Sequence, residues 1–159
     1  DLARLLYALE AQLIVYLRPL RLSPQQYRVL QIIAQLEPIS VGEVARVAVI
    51  EHSVISRTVD QLRDRKLTSK APRPNNGRVV DVRLTAAGRE IVAQIQPVAE
   101  TIVTAAMSVI SDDERVALVS ILSKMFEHVT SSEKTNWDGD LIVRKSDRAR
   151  PLCAKLSDD

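Results

Sequence analysis

Cysteine, glycine and aromatic residues are scarce in this sequence of 159 residues. The single cysteine, Cys153, excludes an internal disulfide framework and zinc-finger spacing, and it favours a reducing cytoplasm. The four glycines form no loop that could cradle a phosphate. Aromatic residues are 3% of the chain, which suits helix packing better than stacking on single-stranded nucleic acid. No apolar run reaches the ~18 residues of a membrane-spanning helix, so no membrane association is expected.

The residue groupings that enzymes and metal sites require are also missing at the level of motifs. His52 and His128 are isolated from other potential metal ligands, so a metal sensor is not indicated. No Ser/His/Asp or Cys/His arrangement suggests an activated nucleophile. The sequence therefore predicts a protein that is not an enzyme and that uses no cofactor.

Aliphatic side chains dominate the apolar content, which is 46% of the chain and is sufficient for a folded core. The length fits one domain with an appendage. Residues 1–129 carry periodic apolar patterns, whereas residues 130–159 contain six basic and six acidic side chains. We expect this last segment to be a polar tail, with Trp137 and residues 141–143 as its only obvious anchors.

Apolar residues recur at helical spacing in six segments. Three capping boxes, in which a serine precedes a glutamine or glutamate by three positions, mark helix starts: Ser23 with Gln26, Ser40 with Glu43, and Ser111 with Glu114. Thr85 is a further cap, and Pro97 is expected to kink the helix that follows. Ile39 could form a short strand. The predicted helices are residues 2–17, 24–37, 41–47, 52–65, 86–107 and 112–129.

The apolar pattern changes to a period of two before Leu84. Val80, Val82 and Leu84 alternate with a second set of residues that includes Asp81. The sequence PRPNNG, which precedes this strand, has the chemistry of a tight turn. A hairpin is therefore predicted, with residues 67–71 as its first arm. The resulting fold class is mainly α (α+β), with a helix-turn-helix followed by a β-hairpin wing.

Positive charge is concentrated in the same region. Residues 57–89 contain nine lysines and arginines against three aspartates, a balance of +6 in a chain whose total is +2. The remaining residues must therefore carry about −4 in total. A basic segment that coincides with a helix-turn-helix and a wing predicts binding to double-stranded DNA.

The helix predicted at residues 52–65 divides into an apolar and a polar face. Ile55, Val59 and Leu62 share the apolar face, as expected of a recognition helix packed on its own domain. Because the N-terminal part of such a helix approaches the bases, its candidate DNA-binding residues are His52, Ser53, Ser56, Arg57 and Gln61. The alternative interpretation is an amphipathic surface helix whose polar face is merely solvated.

The wing supplies a second group of candidates. Arg73 and Arg78 flank its proline-rich tip, where guanidinium groups can enter a minor groove or pair with phosphates. Lys70 and Asn76 complete the predicted set of DNA-binding wing residues. The alternative is an edge hairpin that is charged to prevent aggregation between sheets.

The order of these segments resembles the MarR family of bacterial regulators over about residues 2–129. The similar sequences are LSPQQYRVLQIIA, ISVGEVARV, SVISRTVDQLRDRKL and VRLTAAG, with the basic wing and the flanking helices. The resemblance implies a homodimer built from helices in residues 1–18 and 90–129. It also implies DNA-binding lobes at residues 22–89 that bind a pseudo-palindromic operator, often for repression. Release by a small phenolic or other ligand is also often part of this pattern. Tyr7, Tyr16, Arg18 and Tyr27 could line a ligand cleft between the dimer helices and the DNA-binding lobe, but packing or snorkelling explains each of them equally well, so the sequence does not identify the effector-binding residues.

Three positions depart from the pattern of that family. Asn76 stands where an acidic residue is usual, which predicts a hydrogen bond at best in place of an ion pair in the wing. Lys66 stands where glycine commonly closes the recognition helix, and a left-handed conformation at this position would strain its backbone by roughly 1 kcal/mol. Glu51 precedes that helix where serine or threonine is more usual. These departures motivate an alternative function, a winged-helix module that binds a protein and has lost DNA binding.

Overall fold

The computed structural model describes residues 2–74 and 76–132, which form six helices and a three-stranded antiparallel sheet. The mainly helical architecture with a small sheet, predicted from the sequence, is confirmed. Trp137, residues 141–143 and Cys153 lie outside the described residues. In chain order the elements are α1 (Leu2–Leu17), α2 (Pro24–Leu36), β1 (Ile39–Ser40), α3 (Val41–Ala48), α4 (His52–Asp64), β2 (Thr68–Arg73), β3 (Asn76–Leu84), α5 (Ala86–Met107) and α6 (Asp112–Ser132).

Side-chain caps begin the helices where the sequence predicts them. The Ser23 hydroxyl accepts a hydrogen bond from the Gln26 backbone N–H at 3.1 Å, and the Gln26 side chain accepts one from the Ser23 backbone N–H at 3.1 Å. Reciprocal bonds of the same kind begin α3 and α6. Each box satisfies backbone donors that have no partner within the first turn of a helix. α5 continues through Pro97, where the kink remains a prediction.

Residues other than glycine adopt the left-handed backbone conformation in the turns that follow three of the helices. Arg21, Val49 and Lys66 adopt left-handed backbone conformations with φ of 51°, 59° and 59°, whereas no described glycine has a positive φ. The strain expected at Lys66 is therefore present. Val49 adds a case that the sequence analysis missed, and a β-branched side chain is poorly suited to this conformation.

β3 is the central strand of the sheet and pairs with β1 on one side and β2 on the other. Val82 lies opposite Ile39 and Lys70, and its side chain is buried in the core. Val80 lies opposite Pro72, farther out along the wing, and is exposed, whereas Val82 and Leu84, which the alternation puts on the same face, are buried. Asp81 is also buried, although the alternation placed it on the opposite face of the strand from Val82. Side chains from neighbouring elements cover this opposite face as well.

The core lies where α2, α3, α4 and the base of the sheet meet. Tyr27, Leu30, Ile33, Ile39, Val44, Ile55, Val59, Leu62 and Val82 are among its buried side chains. Leu17 and Ile95 attach α1 and α5 to this core. α4 is therefore held by its apolar face, as predicted, and its polar face is left outward.

The terminal helices keep large apolar surfaces uncovered. Leu17 is the only buried residue of α1, and none of the described α6 side chains is buried. Exposed apolar side chains on these two helices include Leu2, Leu5, Leu6, Val116, Val119, Ile121, Met125 and Phe126. Clusters of large exposed apolar side chains are typical of an interface. None of the described helices is long and apolar enough to cross a membrane.

Candidate nucleic-acid interface

α3 and α4 form the helix-turn-helix, and α4 presents a polar outer surface. His52, Ser53 and Arg57 are exposed on it, and Ser56 is half-buried. Thr58 faces inward, where its hydroxyl donates to the Val54 carbonyl at 2.9 Å. The structure therefore brings the four N-terminal candidate residues together on one accessible surface.

Hydrogen bonds from α2 and the preceding loop fix the orientation of α4. The Gln25 amide donates to the Thr58 hydroxyl at 2.8 Å, and the Gln26 amide donates to the Gln61 side-chain oxygen at 3.1 Å. Arg65, just after α4, donates to the carbonyl oxygens of Leu20 and Arg21 at 2.7 and 2.8 Å. Gln61 therefore braces α4 against α2, a role that sequence reasoning did not assign to it.

Glu51 precedes α4 without capping it. Its side chain makes no hydrogen bond to the helix backbone and instead accepts one from the Ser53 hydroxyl at 2.7 Å. A carboxylate at a helix N-terminus interacts favourably with the helix dipole, but it repels a nearby phosphate. Its position keeps negative charge beside the predicted DNA-binding residues.

Lys70 joins the wing to α4. Its ammonium group lies 2.8 Å from an Asp60 carboxylate oxygen, which also lies 3.2 Å from an Arg63 guanidinium nitrogen. The hydrogen bond from Lys70 lowers the pKa of Asp60 below its usual value, and the charge of Arg63 acts in the same direction. Lys70 thus has a protein partner, which sequence reasoning did not identify.

Arg73 forms the most extensive ion pair of the wing. Its Nε and Nη2 donate to Asp81 at 2.7 to 3.1 Å, and Nη2 also donates to Glu43 of α3 at 2.8 Å. The hydrogen bond from Arg73 to Asp81 raises the pKa of the guanidinium group. Burial alone would raise the pKa of Glu43, but hydrogen bonds from Ser40 and Arg73 lower it overall. The wing therefore contains an ion pair after all, built from residues other than Asn76 and Arg78.

These pairings reduce the charge that is available for DNA. Of the nine basic residues in 57–89, Arg63, Lys70, Arg73 and Arg89 form ion pairs, and Arg65 binds carbonyl oxygens. Four exposed cations have no hydrogen-bonding or ionic partner within residues 2–74 and 76–132: Arg57, Lys66, Arg78 and Arg83. Arg78 lies at the wing tip beside the exposed Asn76 and Gly77.

A separate cavity of about 290 Å³ lies beside α1 and α2. It is lined by Glu10, Pro24, Gln25, Arg28 and Ile50. None of the four residues considered as candidates for a ligand cleft borders it. Tyr7, Tyr16 and Arg18 are exposed, and Tyr27 is buried. No sequence pattern marks Glu10 and Arg28 as neighbours, because they lie on different helices.

Comparison with known proteins gives a consistent result. Residues 22–80 match the model of the MarR family. The HTH-type transcriptional repressor NicR of Pseudomonas putida is 30% identical over 90 residues, which are 57% of this chain and 57% of NicR. The chain therefore matches little more than half the length of that relative.

Two solved structures share the fold over most of their length. BpsR of Bordetella bronchiseptica, whose DNA binding is regulated by 6-hydroxynicotinic acid, is 28% identical with a TM-score of 0.70, covering 79% of this chain and 90% of BpsR. The apo form of wild-type MarR from E. coli is 26% identical with a TM-score of 0.62, covering 79% of this chain and 96% of MarR. These similarities extend beyond the helix-turn-helix to the wing and the flanking helices.

Proposed function

We propose that this chain, a winged helix-turn-helix protein whose residues 22–80 match the MarR family model, is a homodimeric repressor of transcription that binds a specific duplex sequence. Residues 22–89 are the DNA-binding lobe, and residues 1–18 and 90–129 provide the dimer helices. The observation that carries the proposal is a pair of arginines that have no hydrogen-bonding or ionic partner among the described residues, Arg57 on α4 and Arg78 at the wing tip. They project from two elements that the fold holds in a fixed relation.

The N-terminal part of α4 enters the major groove in this proposal. His52, Ser53 and Ser56 reach base edges or phosphates, and Arg57 supplies the positive charge. Arg78 and Asn76 reach the neighbouring minor groove or its phosphates from the wing. Gln61 and Lys70 contribute less to the affinity, because their side chains already bind Gln26 and Asp60.

A second copy of the chain covers the exposed apolar faces of α1 and α6. These faces are unfavourable in water, since burying apolar surface contributes roughly 25 cal/mol per Å². Two-fold symmetry then presents two α4 helices to successive major grooves, which requires a pseudo-palindromic operator. Such a regulator would act in the cytoplasm.

The cavity beside α1 and α2 is a candidate site for a small effector. Its lining residues include one arginine and one glutamate, Arg28 and Glu10. Arg28 could pair with the carboxylate of a small aromatic acid, a chemical class to which the 6-hydroxynicotinic acid that regulates BpsR belongs. Binding there would contact the N-terminal half of α2, which braces α4, and could release the DNA.

Selection of duplexes from a random pool by the purified protein tests this function. The proposal expects one enriched pseudo-palindromic sequence and a complex of two chains per duplex by analytical ultracentrifugation. A pool without enrichment, together with a protein partner that docks on α4, would instead support the protein-binding module. The exposed Glu51 carboxylate beside α4 is the observation that favours this second function.

A further inference from the structure

Arg73 connects three elements of the DNA-binding lobe. It lies at the end of β2, and its Nη2 is 2.7 Å from Asp81 on β3 and 2.8 Å from Glu43 on α3. The Asp81 side chain is only 4% exposed, and that of Arg73 is 33% exposed. This is a semi-buried network in which two carboxylates share one guanidinium group.

The backbone ladder of the wing is irregular at the same place. The pairing register between β2 and β3 shifts between Pro72 and Arg73. The regular hydrogen-bond ladder is therefore interrupted before the outer part of the wing. A bulge of this kind re-aims the strands that follow it. The bonds from Arg73 to Asp81 join the two strands across this point, and the bond to Glu43 joins them to α3.

Glu43 has two functions in this network. Its Oε2 accepts the Ser40 backbone N–H at 2.7 Å, which closes the capping box of α3, and it also accepts the bond from Arg73 at 2.8 Å. The start of the helix-turn-helix and the wing therefore share one carboxylate oxygen. A movement of the wing relative to α3 must break this contact.

We propose that Arg73 is a positioning residue that holds the wing against α3, so that Arg78 at the tip reaches the duplex together with Arg57. This inference rests on the proposed DNA-binding function. It assigns to Arg73 a role different from the direct DNA contact that its place in the wing suggests. The ion pairs of Arg73 with Asp81 and Glu43 hold the wing in place. They substitute for the ion pair that an acidic residue at the position of Asn76 would form.

The two roles predict opposite effects when the carboxylates are neutralised. Glu43→Gln keeps an oxygen for the Ser40 N–H, because glutamine also closes a capping box, but it removes the charge of one of the two carboxylates that pair with Arg73. Asp81→Asn does the same on β3 with little change in shape. If Arg73 contacts phosphate, either variant removes one of the two negative charges that compete with phosphate for the guanidinium group, so DNA binding becomes tighter. If Arg73 positions the wing, both variants bind about tenfold more weakly.

Asp64→Asn is the matched control. It removes one negative charge from α4 at a side chain that is 73% exposed and lies outside the network. It measures the general electrostatic effect of losing a carboxylate near DNA. The positioning role requires Glu43→Gln and Asp81→Asn to bind more weakly than both this control and the wild-type protein.

Arg73→Lys separates charge from geometry, because lysine keeps the charge but cannot reproduce the forked contacts to two carboxylates. Weaker binding by this variant supports the positioning role, and unchanged affinity overturns it. Thermal denaturation of each variant identifies a loss of binding that is caused by unfolding.

Amide hydrogen exchange of the free protein provides a readout that needs no DNA. Faster exchange confined to β2 and β3 in Glu43→Gln and Asp81→Asn supports the attachment of the wing. Unchanged exchange in both variants overturns it. If the wild-type protein binds no duplex, the proposed function fails, but this exchange comparison still decides whether Arg73 holds the wing.

Discussion

The carbonyl oxygen of Leu67 occupies the place where a Cβ atom on Gly88 would lie. Gly88 is in the first turn of α5, where its N–H donates to the Thr85 hydroxyl at 3.1 Å, and the same hydroxyl donates to the Lys66 carbonyl at 2.7 Å. The LTAAG segment is therefore a tight junction between the wing and α5. Thr85 caps α5. Because Gly88 has no side chain, α5 can lie against the backbone of Leu67, which precedes β2.

Replacement of Gly88 by alanine will strain this junction. Because the obstacle is backbone, we expect Gly88→Ala to lower the free energy of unfolding by about 2 kcal/mol, the typical cost of overpacking. Gly77→Ala is the matched control, since nothing lies within 4 Å of its added Cβ. Equal urea denaturation midpoints for the two variants would contradict the account of the junction.

Val49 is strained at the end of α3, and relief of that strain will stabilise the protein. Val49 is exposed, with φ of 59° and ψ of 41°. We expect Val49→Gly to raise the free energy of unfolding by about 1 kcal/mol, since the relief of left-handed strain exceeds the added entropy of the unfolded chain. Val54→Gly, inside α4, should destabilise by about 1 kcal/mol. Thermal denaturation of both variants should give shifts of opposite sign.

Stability will fall in acid because of Glu43 and Asp60. Their pKa values are lower in the folded protein than their usual values, so the folded state binds fewer protons in acid than the unfolded state does. The contribution of these two carboxylates to stability is fully present at pH values above their pKa in the unfolded chain. It is lost as the pH falls through their lower pKa values in the folded protein. Urea denaturation between pH 3 and 7 measures this loss, which should be smaller in Glu43→Gln.

Tyr27 makes the stability of the protein depend on pH in the opposite direction, with a loss in alkali. Burial raises the pKa of its hydroxyl to about 12, the charge of Glu100 adds to this effect, and Gln31 opposes it in part. Because the pKa of Tyr27 is higher in the folded protein than in the unfolded chain, its contribution to stability is fully present below the unfolded value near 10. This contribution is lost as the pH rises towards 12. The slope approaches about 1.4 kcal/mol per pH unit. Tyr27→Phe should remove this part of the alkaline loss, which denaturation between pH 9 and 12 can measure.

Local signals in the sequence were sufficient for most of the helices and for the wing. Ser23 and Ser40 cap their helices because a capping box depends on residues only three positions apart. The strain at Lys66 could be predicted because helix ends favour glycine.

The ionic partners within the site could not be predicted in the same way. Arg73 meets Glu43 across 30 positions of sequence, and Lys70 meets Asp60 only because the wing folds back on α4. The balance of +6 was correct as a count of residues. It overstated the charge that is free to meet DNA, because pairing depends on the tertiary structure.

The salt dependence of DNA binding tests the central claim most directly. Affinity for the selected duplex should fall steeply with salt, with a log–log slope of up to about −7 if Arg57, Lys66, Arg78 and Arg83 of both protomers meet phosphates. Arg78→Gln should make the slope shallower by about 2 for the dimer, because one counterion release is lost in each protomer. A slope near zero for the wild-type protein, or no effect of Arg78→Gln, would contradict a regulator that grips DNA with α4 and the wing.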